Sequence, residues 1–494
     1  MLNLKNAKNI VIVGGGTAGW FAALTLRRVF SKGVNVRLIE SSKIGIVGVG
    51  EGGILNIMTA LKRNQIDLGD FMEETGAAYK WGFAYEGWRT GAQDDKYYHL
   101  FGLFGHKVHE QRNGYYPHLC AMINQKIPLH SYMRGFDAIK NNASQAQAKE
   151  LLASKSTDIV SSIHFDSHRV ANYLKKTALQ RGVLHVDAKV LDAVLDGTGS
   201  VTEIVTTEGN FPADLVIDAS GLTRLIIGKM GVQWESFSDY LLMDRAIPFY
   251  MKHPEPNPSL VTRAIAMKAG WMWQIPLVHR VGAGYVYSSK FTTPEAAIEE
   301  IKAMVGNDVE PQRVISFEPG CYHRVWVGNV VALGLSSGFV EPLEATSIGQ
   351  MLEQLSKLEQ TLLMTYGVVP QQTIDQFNES NLASWLGVRD FLRMHYDNTR
   401  QDNAFWQAAS QAPYPESYRQ LRECWQLRTP RDIDISQYHP YGWSQLFHVL
   451  SWMYVGGAMG VIPPQATQDE LLALPADQQL QLQQFVAGFR PKIQ

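Results

Sequence analysis

Asn9-Ile10-Val11-Ile12-Val13 is a nearly unbroken β-branched run, the pattern of a central parallel strand covered on both faces. The next segment puts Ala18, Ala22, Leu26 and Val29 on one face at helical spacing, with small residues at 18 and 22 to let a helix lie close to a sheet. Val34 to Ile39 predicts a second strand ending at Glu40, which completes a βαβ unit of a doubly wound sheet. Asp214 to Gly221 and Val325 to Leu333 predict strands that return to this sheet from far along the chain. Glu203 to Phe211 and Arg280 to Phe291 alternate apolar and polar positions, predicting a second, antiparallel sheet. From about Ser347 the period changes to helical: Ile348, Met351, Leu352, Leu355, Leu358 and Leu362 form one stripe. Helical stretches with scattered prolines fill the C-terminal third, and Gln478 to Gln484 predicts a surface helix.

Size and composition narrow the partners. A chain of 494 residues buries one large core or two. A formal net charge of −2, with no Lys/Arg block, argues against nucleic acid as a partner. No stretch has the length or apolar character of a membrane span or signal peptide. Cys120, Cys321 and Cys424 are few and far apart, as expected in a reducing cytoplasm rather than in a disulfide framework. The expected location is therefore cytoplasmic, with no membrane partner and no metal; a homo-oligomer is compatible with the sequence.

Between the first strand and helix lies Gly14-Gly15-Gly16-Thr17-Ala18-Gly19. In this G-x-G-x-x-G spacing the first glycine makes the tight turn, the second lets a pyrophosphate reach the backbone, and the third allows close helix–sheet packing. Glu40 stands about 20 residues on, where an acid holds a ribose hydroxyl. These features point to a dinucleotide. No second glycine fingerprint is present for a nicotinamide cofactor.

Other segments carry chemistry less plainly. Gly48-Val49-Gly50-Glu51-Gly52-Gly53 is too glycine-rich for a stable regular element and predicts a mobile or close-approach loop. Lys80 is flanked by Tyr79 and Trp81 in an apolar stretch, where burying an ammonium is costly; a lysine snorkelling from an aromatic patch is the structural alternative. Trp271 and Trp273, within Trp271-Met272-Trp273-Gln274-Ile275-Pro276, would by spacing alone be sheet-face core. Glu344 precedes the long helix, where a carboxylate could simply balance the helix dipole.

Taken together, W-x-W-x-I-P at 271–276, the glycine fingerprint at 14–19, Lys80-Trp81-Gly82 and the Glu341-Pro342-Leu343-Glu344 segment resemble the signatures of flavin-dependent halogenases of the tryptophan halogenase family. Matches continue from Asn9 to at least Trp406, including His395-Tyr396 and Arg400 to Trp406. The resemblance implies an α/β fold: an FAD-binding doubly wound Rossmann-like module of the flavin monooxygenase type, an antiparallel substrate sheet, and a helical C-terminal region. The expected division is residues 1–365 for the FAD module, discontinuous and carrying the substrate-sheet insertions, and 366–494 for helices over the substrate site.

The same resemblance implies roles. FAD, used as FADH2 from a separate flavin reductase, would be held by Gly14, Gly15, Gly16, Thr17, Ala18, Gly19 and Glu40. Gly48, Val49 and Gly50 of the strap would also contact it, with Val190, Asp218, Leu335 and Ile348. A halide ion would sit at Thr346 and Ser347, where free helix N–H groups favour an anion. Lys80 would hold hypohalous acid by hydrogen bond or react to a haloamine, and Glu344 would stabilise or deprotonate the cationic ring. Trp271 and Trp273 would wall the flavin off from the substrate, which His99, Phe101 and Trp452 would hold.

Four departures from the family pattern stand out. Gly52-Gly53 replaces Ala-Thr, predicting a looser strap, and Leu100 replaces a proline beside His99. Ala345-Thr346-Ser347 replaces Ser-Thr-Gly, leaving the halide open. The Tyr-Tyr…Glu clamp for an amino-acid tail is absent from 441–454, so a small aromatic such as an indole or phenol, without a charged tail, is expected rather than free tryptophan. Rivals are a single-component aromatic hydroxylase and a non-catalytic flavin-binding protein.

Overall fold

The computed structural model describes residues 1–45, 48, 50–92, 94–102 and 115–489. Asn9–Val13 lies inside a six-stranded sheet ordered 326–327, 330–332, 215–218, 9–13, 35–40, 184–187. Ile10 pairs with Val36 on one side and with Leu215 on the other, both in parallel register. The β-branched run is central because it is covered on both faces: Ile10 and Ile12 face one apolar cluster and Val11 and Val13 another.

The first helix, Thr17–Val29, is buried nearly all round from Gly19 to Leu26. The one-face pattern was too narrow because this helix is sandwiched between the sheet and other helices, Thr346–Met364 among them. The returning strand at 325–333 is instead a short antiparallel hairpin, Trp326–Val327 with Val330–Ala332, whose second arm runs parallel to Leu215–Asp218.

The substrate sheet has seven strands, ordered 315–316, 245–251, 281–287, 270–276, 261–267, 82–86, 96–100. Its pairings are antiparallel except for 261–267 against 82–86. The two alternating segments taken as one sheet belong to two. Val281–Tyr287 lies in the substrate sheet, whereas Val201–Thr206 and Gly209–Pro212 form a small separate sheet with Val190–Leu195. Alternation fixes which side chains share a face, not which strands pair.

Residues beyond 366 do not form a core of their own. Trp385, Phe391 and Trp452 share one apolar cluster with Trp81 and Trp271 of the substrate sheet. The Gln-rich segment lies on the helix Ala476–Ala487, which buries only Leu482 and Val486. Among the described residues no helix is long and apolar enough to cross a membrane.

Candidate active site

The nucleotide cradle follows from what the glycines must avoid. Gly14 has φ +112°, and a Cβ there would lie 2.2 Å from the Ala219 carbonyl oxygen. A Cβ at Gly19 would meet the Gly14 oxygen at 1.9 Å, so helix and turn touch backbone to backbone. Gly16 faces open space, and the helix behind it has neither a side-chain cap nor an acid in its first turn. Uncapped N–H groups beside a glycine that leaves the backbone open fit a pyrophosphate.

Glu40 folds its carboxylate over Gly15 while Lys175 and His185 hold Oε1 at 2.9 and 3.0 Å. The buried Asp218 carboxylate accepts N–H bonds from Ser220, Ile226 and Ile227, fixing the turn that packs against Gly14. Leu335 sits in the turn Gly334–Ser336, and a Cβ on Gly334 would touch Ala18. Val190 begins the edge strand of the small sheet, and Ile348 is half-buried in the first turn of its helix.

The strap is less loose than its glycines suggest. Glu51–Gly52 is a short strand paired with His164 and Phe165, and the Gly53 N–H donates to the Ile163 oxygen. The glycines here serve close approach: a Cβ on Gly52 would lie 2.7 Å from Lys80 Nζ, and one on Gly53 would strike Ile57. Gly48 packs beside Ser167 and Gly50 beside Leu277; Val49 lies outside the described residues.

Lys80 is fully buried, and its Nζ has no hydrogen-bond partner. It sits 3.8 Å from the Phe83 ring centroid and 5.5 Å from that of Phe101. Burial pushes the ammonium down to about 7, against the opposing pull of Glu344 and Glu51. The Glu51 carboxyl is pushed up to about 7, again by burial, with Lys80 working the other way. A snorkelling lysine would reach water; this one does not.

Glu344 is also buried, at 1% exposure. It and Ala345 both adopt left-handed backbone, φ 64° and 54°, a strained pair of non-glycine residues that turns the carboxylate inward ahead of the helix Thr346–Met364. Tyr85 donates to Glu344 at 2.5 Å and the His99 Nδ1–H at 2.9 Å; His395 Nε2 lies 3.3 Å away. Burial would raise this carboxyl, but His99 and His395 together hold it well below the usual carboxylate range. Tyr97 bonds the other nitrogen of His395 at 2.9 Å, which suits a neutral ring with Nε2–H facing the carboxylate. Thr346, at the start of the uncapped helix, has a buried Oγ1 without a partner, and Ser347 beside it is half-buried. An orphaned hydroxyl at a helix N-terminus suits a small anion.

Trp271 and Trp273 occupy one face of strand Gly270–Pro276, with ring centroids 6.4 Å apart. Gly284 is obligatory opposite, since its Cβ would fall 2.1 Å from the Trp273 ring. Trp271 Nε1–H and the Tyr396 hydroxyl both donate to Glu341 Oε2 at 2.6 Å, so a buried carboxyl fixes this wall.

A cavity of about 450 Å³ opens at Glu344, His99 and Phe101 and is lined further by Phe447 and Tyr454. Trp452 is not in its wall. That indole is packed inside the core against Phe391, Trp425 and Tyr438, between the lining positions Ser451 and Tyr454 in sequence but turned to the other face of the helix. Tyr85, His395, Glu341 and Glu51 surround Lys80, Glu344 and the indole wall, and the sequence had given none of them a role. The alternation of Phe83 and Tyr85 with Tyr97, His99 and Phe101 carried the signal for Tyr85, because paired strands stack these positions on one face.

Comparison with known proteins agrees with this geometry. The tryptophan halogenase family model matches residues 9–475. An uncharacterised protein of Sinorhizobium fredii is 42% identical over 98% of this chain and 96% of its own length. The 7-chloro-L-tryptophan 6-halogenase of Kutzneria sp. is 32% identical, covering 87% of each chain. The solved flavin-dependent halogenase from Xanthomonas campestris superposes with TM-score 0.81 at 30% identity, over 99% of this chain and 95% of that one. A glycine cradle fit for a dinucleotide, an indole wall, a buried partnerless lysine and a histidine-held carboxylate thus occur on the fold of known flavin-dependent enzymes, and the chain belongs to the tryptophan halogenase family.

Proposed function

We propose that this oxidoreductase takes FADH2 from a separate reductase, with O2 and a halide, and halogenates an electron-rich aromatic such as an indole. Reduced FAD, when bound in the glycine cradle, supplies the electrons and the place where oxygen and halide are turned into hypohalous acid. The chain supplies everything after that. Trp271 and Trp273 keep the ring to be modified away from the cofactor, which disfavours direct oxygen insertion. Lys80 N–H bonds the hypohalous acid oxygen, or its amine takes the halogen, and either way the halogen is delivered as an electrophile.

The ring carbon bonds the halogen as the O–halogen bond breaks, and the hydroxide takes a proton from the Lys80 ammonium and leaves as water. By the amine route water has already left, the N–halogen bond breaks, and the amine recovers the ring's proton by way of Glu344. Glu344 meets the positive charge on the ring and takes the displaced proton. The single observation that carries this reading is a buried pair: a partnerless ammonium against aromatic rings, drawn electrostatically by Glu344, the carboxylate at the cavity's inner end that two histidines hold ionised. Thr346 and Ser347 are the proposed halide contacts, and His99 and Phe101 the proposed ring contacts.

The test is direct. Photoreduced FADH2, air, bromide and indole should give a product in which one hydrogen is replaced by bromine, and Lys80→Ala should abolish it while FAD still binds. A hydroxylated product would favour a hydroxylase, and no turnover over an aromatic panel would favour a non-catalytic flavoprotein.

A further inference from the structure

The cavity is far larger than a bare indole needs, and its shape is not that of a closed pocket. Three helices each give it one face at helical spacing: Phe21, Thr25 and Arg28 from Thr17–Val29; Asn56, Thr59, Ala60 and Arg63 from Asn56–Arg63; Leu352, Leu355, Ser356 and Glu359 from Thr346–Met364. Positions i, i+3, i+4 and i+7 on neighbouring helices define a groove that follows the helix axes. Thr346 to Glu359 is 13 residues, or about 20 Å at the helical rise. The groove therefore runs about 20 Å from the catalytic carboxylate to the protein surface.

Its chemistry changes along the way. The inner end is aromatic, with Phe101, Phe447 and Tyr454 around His99 and Glu344. Midway, Asn56 donates Nδ2 to the Gly349 oxygen at 2.8 Å and keeps an Oδ1 that meets no donor, while Glu353 accepts the Ser444 N–H. The outer end carries two guanidinium groups, Arg28 and Arg63, against one carboxylate, Glu359, which bonds Arg28 and lies 3.9 Å from Arg63. Arg63 also donates to Ser356 and remains 41% exposed. One carboxylate for two arginines leaves an unmet positive charge at the mouth, and a guanidinium fork is built to take a carboxylate in two hydrogen bonds.

Resting on the halogenase reading above, we infer that the acceptor is an extended aromatic carrying amide N–H groups along its tail and a carboxylate at the far end, read by Arg28 and Arg63. Among the described residues no charged clamp for an amino-acid tail stands beside Phe101, Phe447 and Tyr454, so free tryptophan is not the best fit and recognition of charge is displaced along the groove. An extended backbone advances about 3.3–3.6 Å per residue, so an aromatic acyl group with three following residues spans it.

The probes are indole, indole-3-acetyl-glycine, indole-3-acetyl-triglycine, and the C-terminal amide of the last. With bromide and photoreduced FADH2, kcat/KM should rise at least tenfold from the monoglycine to the triglycine acid, and the amide should lose most of that gain. Arg63→Glu should collapse the acid-to-amide ratio and Arg63→Lys should restore part of it; a ratio within one variant is insensitive to partial misfolding. Equal bromination of indole and all tailed probes would overturn the inference and leave the halogenase reading intact. Binding of the triglycine acid in preference to its amide, measured by calorimetry without any turnover, would support the groove and defeat the halogenase reading instead.

Discussion

Glu344→Gln isolates the charge of the carboxylate with almost no change in shape. Glutamine keeps the left-handed backbone cost and can still accept from Tyr85 and His99, so the fold should persist. What it loses is a full negative charge that burial, opposed by two histidines, leaves in place at neutral pH. A ring cation about 5 Å from that charge, at an effective dielectric of about 20, is stabilised by about 3 kcal/mol. Because the ring is neutral until the halogen arrives, the loss falls on the transition state: kcat should drop by about two orders of magnitude with KM little changed. The assay is steady-state bromination of indole by chromatography, alongside trapping of free hypobromous acid with a soluble phenol. Oxidant formation should continue while ring bromination slows. A kcat within threefold of the parent would show that Glu344 meets no developing charge and would sink the assigned role.

Lys80 titrates near 7 because burial outweighs Glu344 and Glu51, so its pH dependence tells how it acts. Indole bromination should rise through about pH 7 if the free amine takes the halogen, and fall if the ammonium is the donor; a profile flat from 6 to 8 would remove Lys80 from the chemistry. Since the folded value lies below the free lysine's 10.5, the folded chain binds fewer protons between about 7 and 10.5, and stability should rise across that window. Lys80→Met should flatten that rise in Tm-versus-pH curves. Gly52→Ala places a methyl 2.7 Å from Nζ without backbone strain, so Tm should hold while kcat falls several-fold; unchanged kcat would mean that the ammonium's position is not critical. Gly14→Ala, clashing with the Ala219 oxygen at φ +112°, should lose FAD absorbance on purification, and full retention would show that the turn can open.

The residues that sequence reading placed well are those whose work is local. Gly14 to Gly19 must make a turn and a close contact whatever surrounds them, and Glu40 follows at the end of the next strand. Glu344 and Thr346 were named by the resemblance, and the helical stripe put them just ahead of and at the start of the helix. Trp452, named by the resemblance, lies outside the wall of this cavity. A helix rotates 100° per residue, and only packing against Phe391 and Trp425 decides that Tyr454 and Ser451 face the cavity while Trp452 faces the core. For the strap the sequence left a mobile and a close-approach loop open; pairing of Glu51–Gly52 with His164–Phe165 favours close approach, and the missing side chain of Gly52 makes room for Lys80.

By itself the sequence determined the βαβ start, the glycine turn and the family, because short-range spacing and residue type are written along one dimension. Tertiary structure alone decided that Lys80 has no partner, that His99 and His395 come from segments about 300 residues apart to keep Glu344 charged, and that three helices open a groove to two arginines. Charge state and cavity shape depend on burial and on neighbours distant in the chain, and no local pattern carries either.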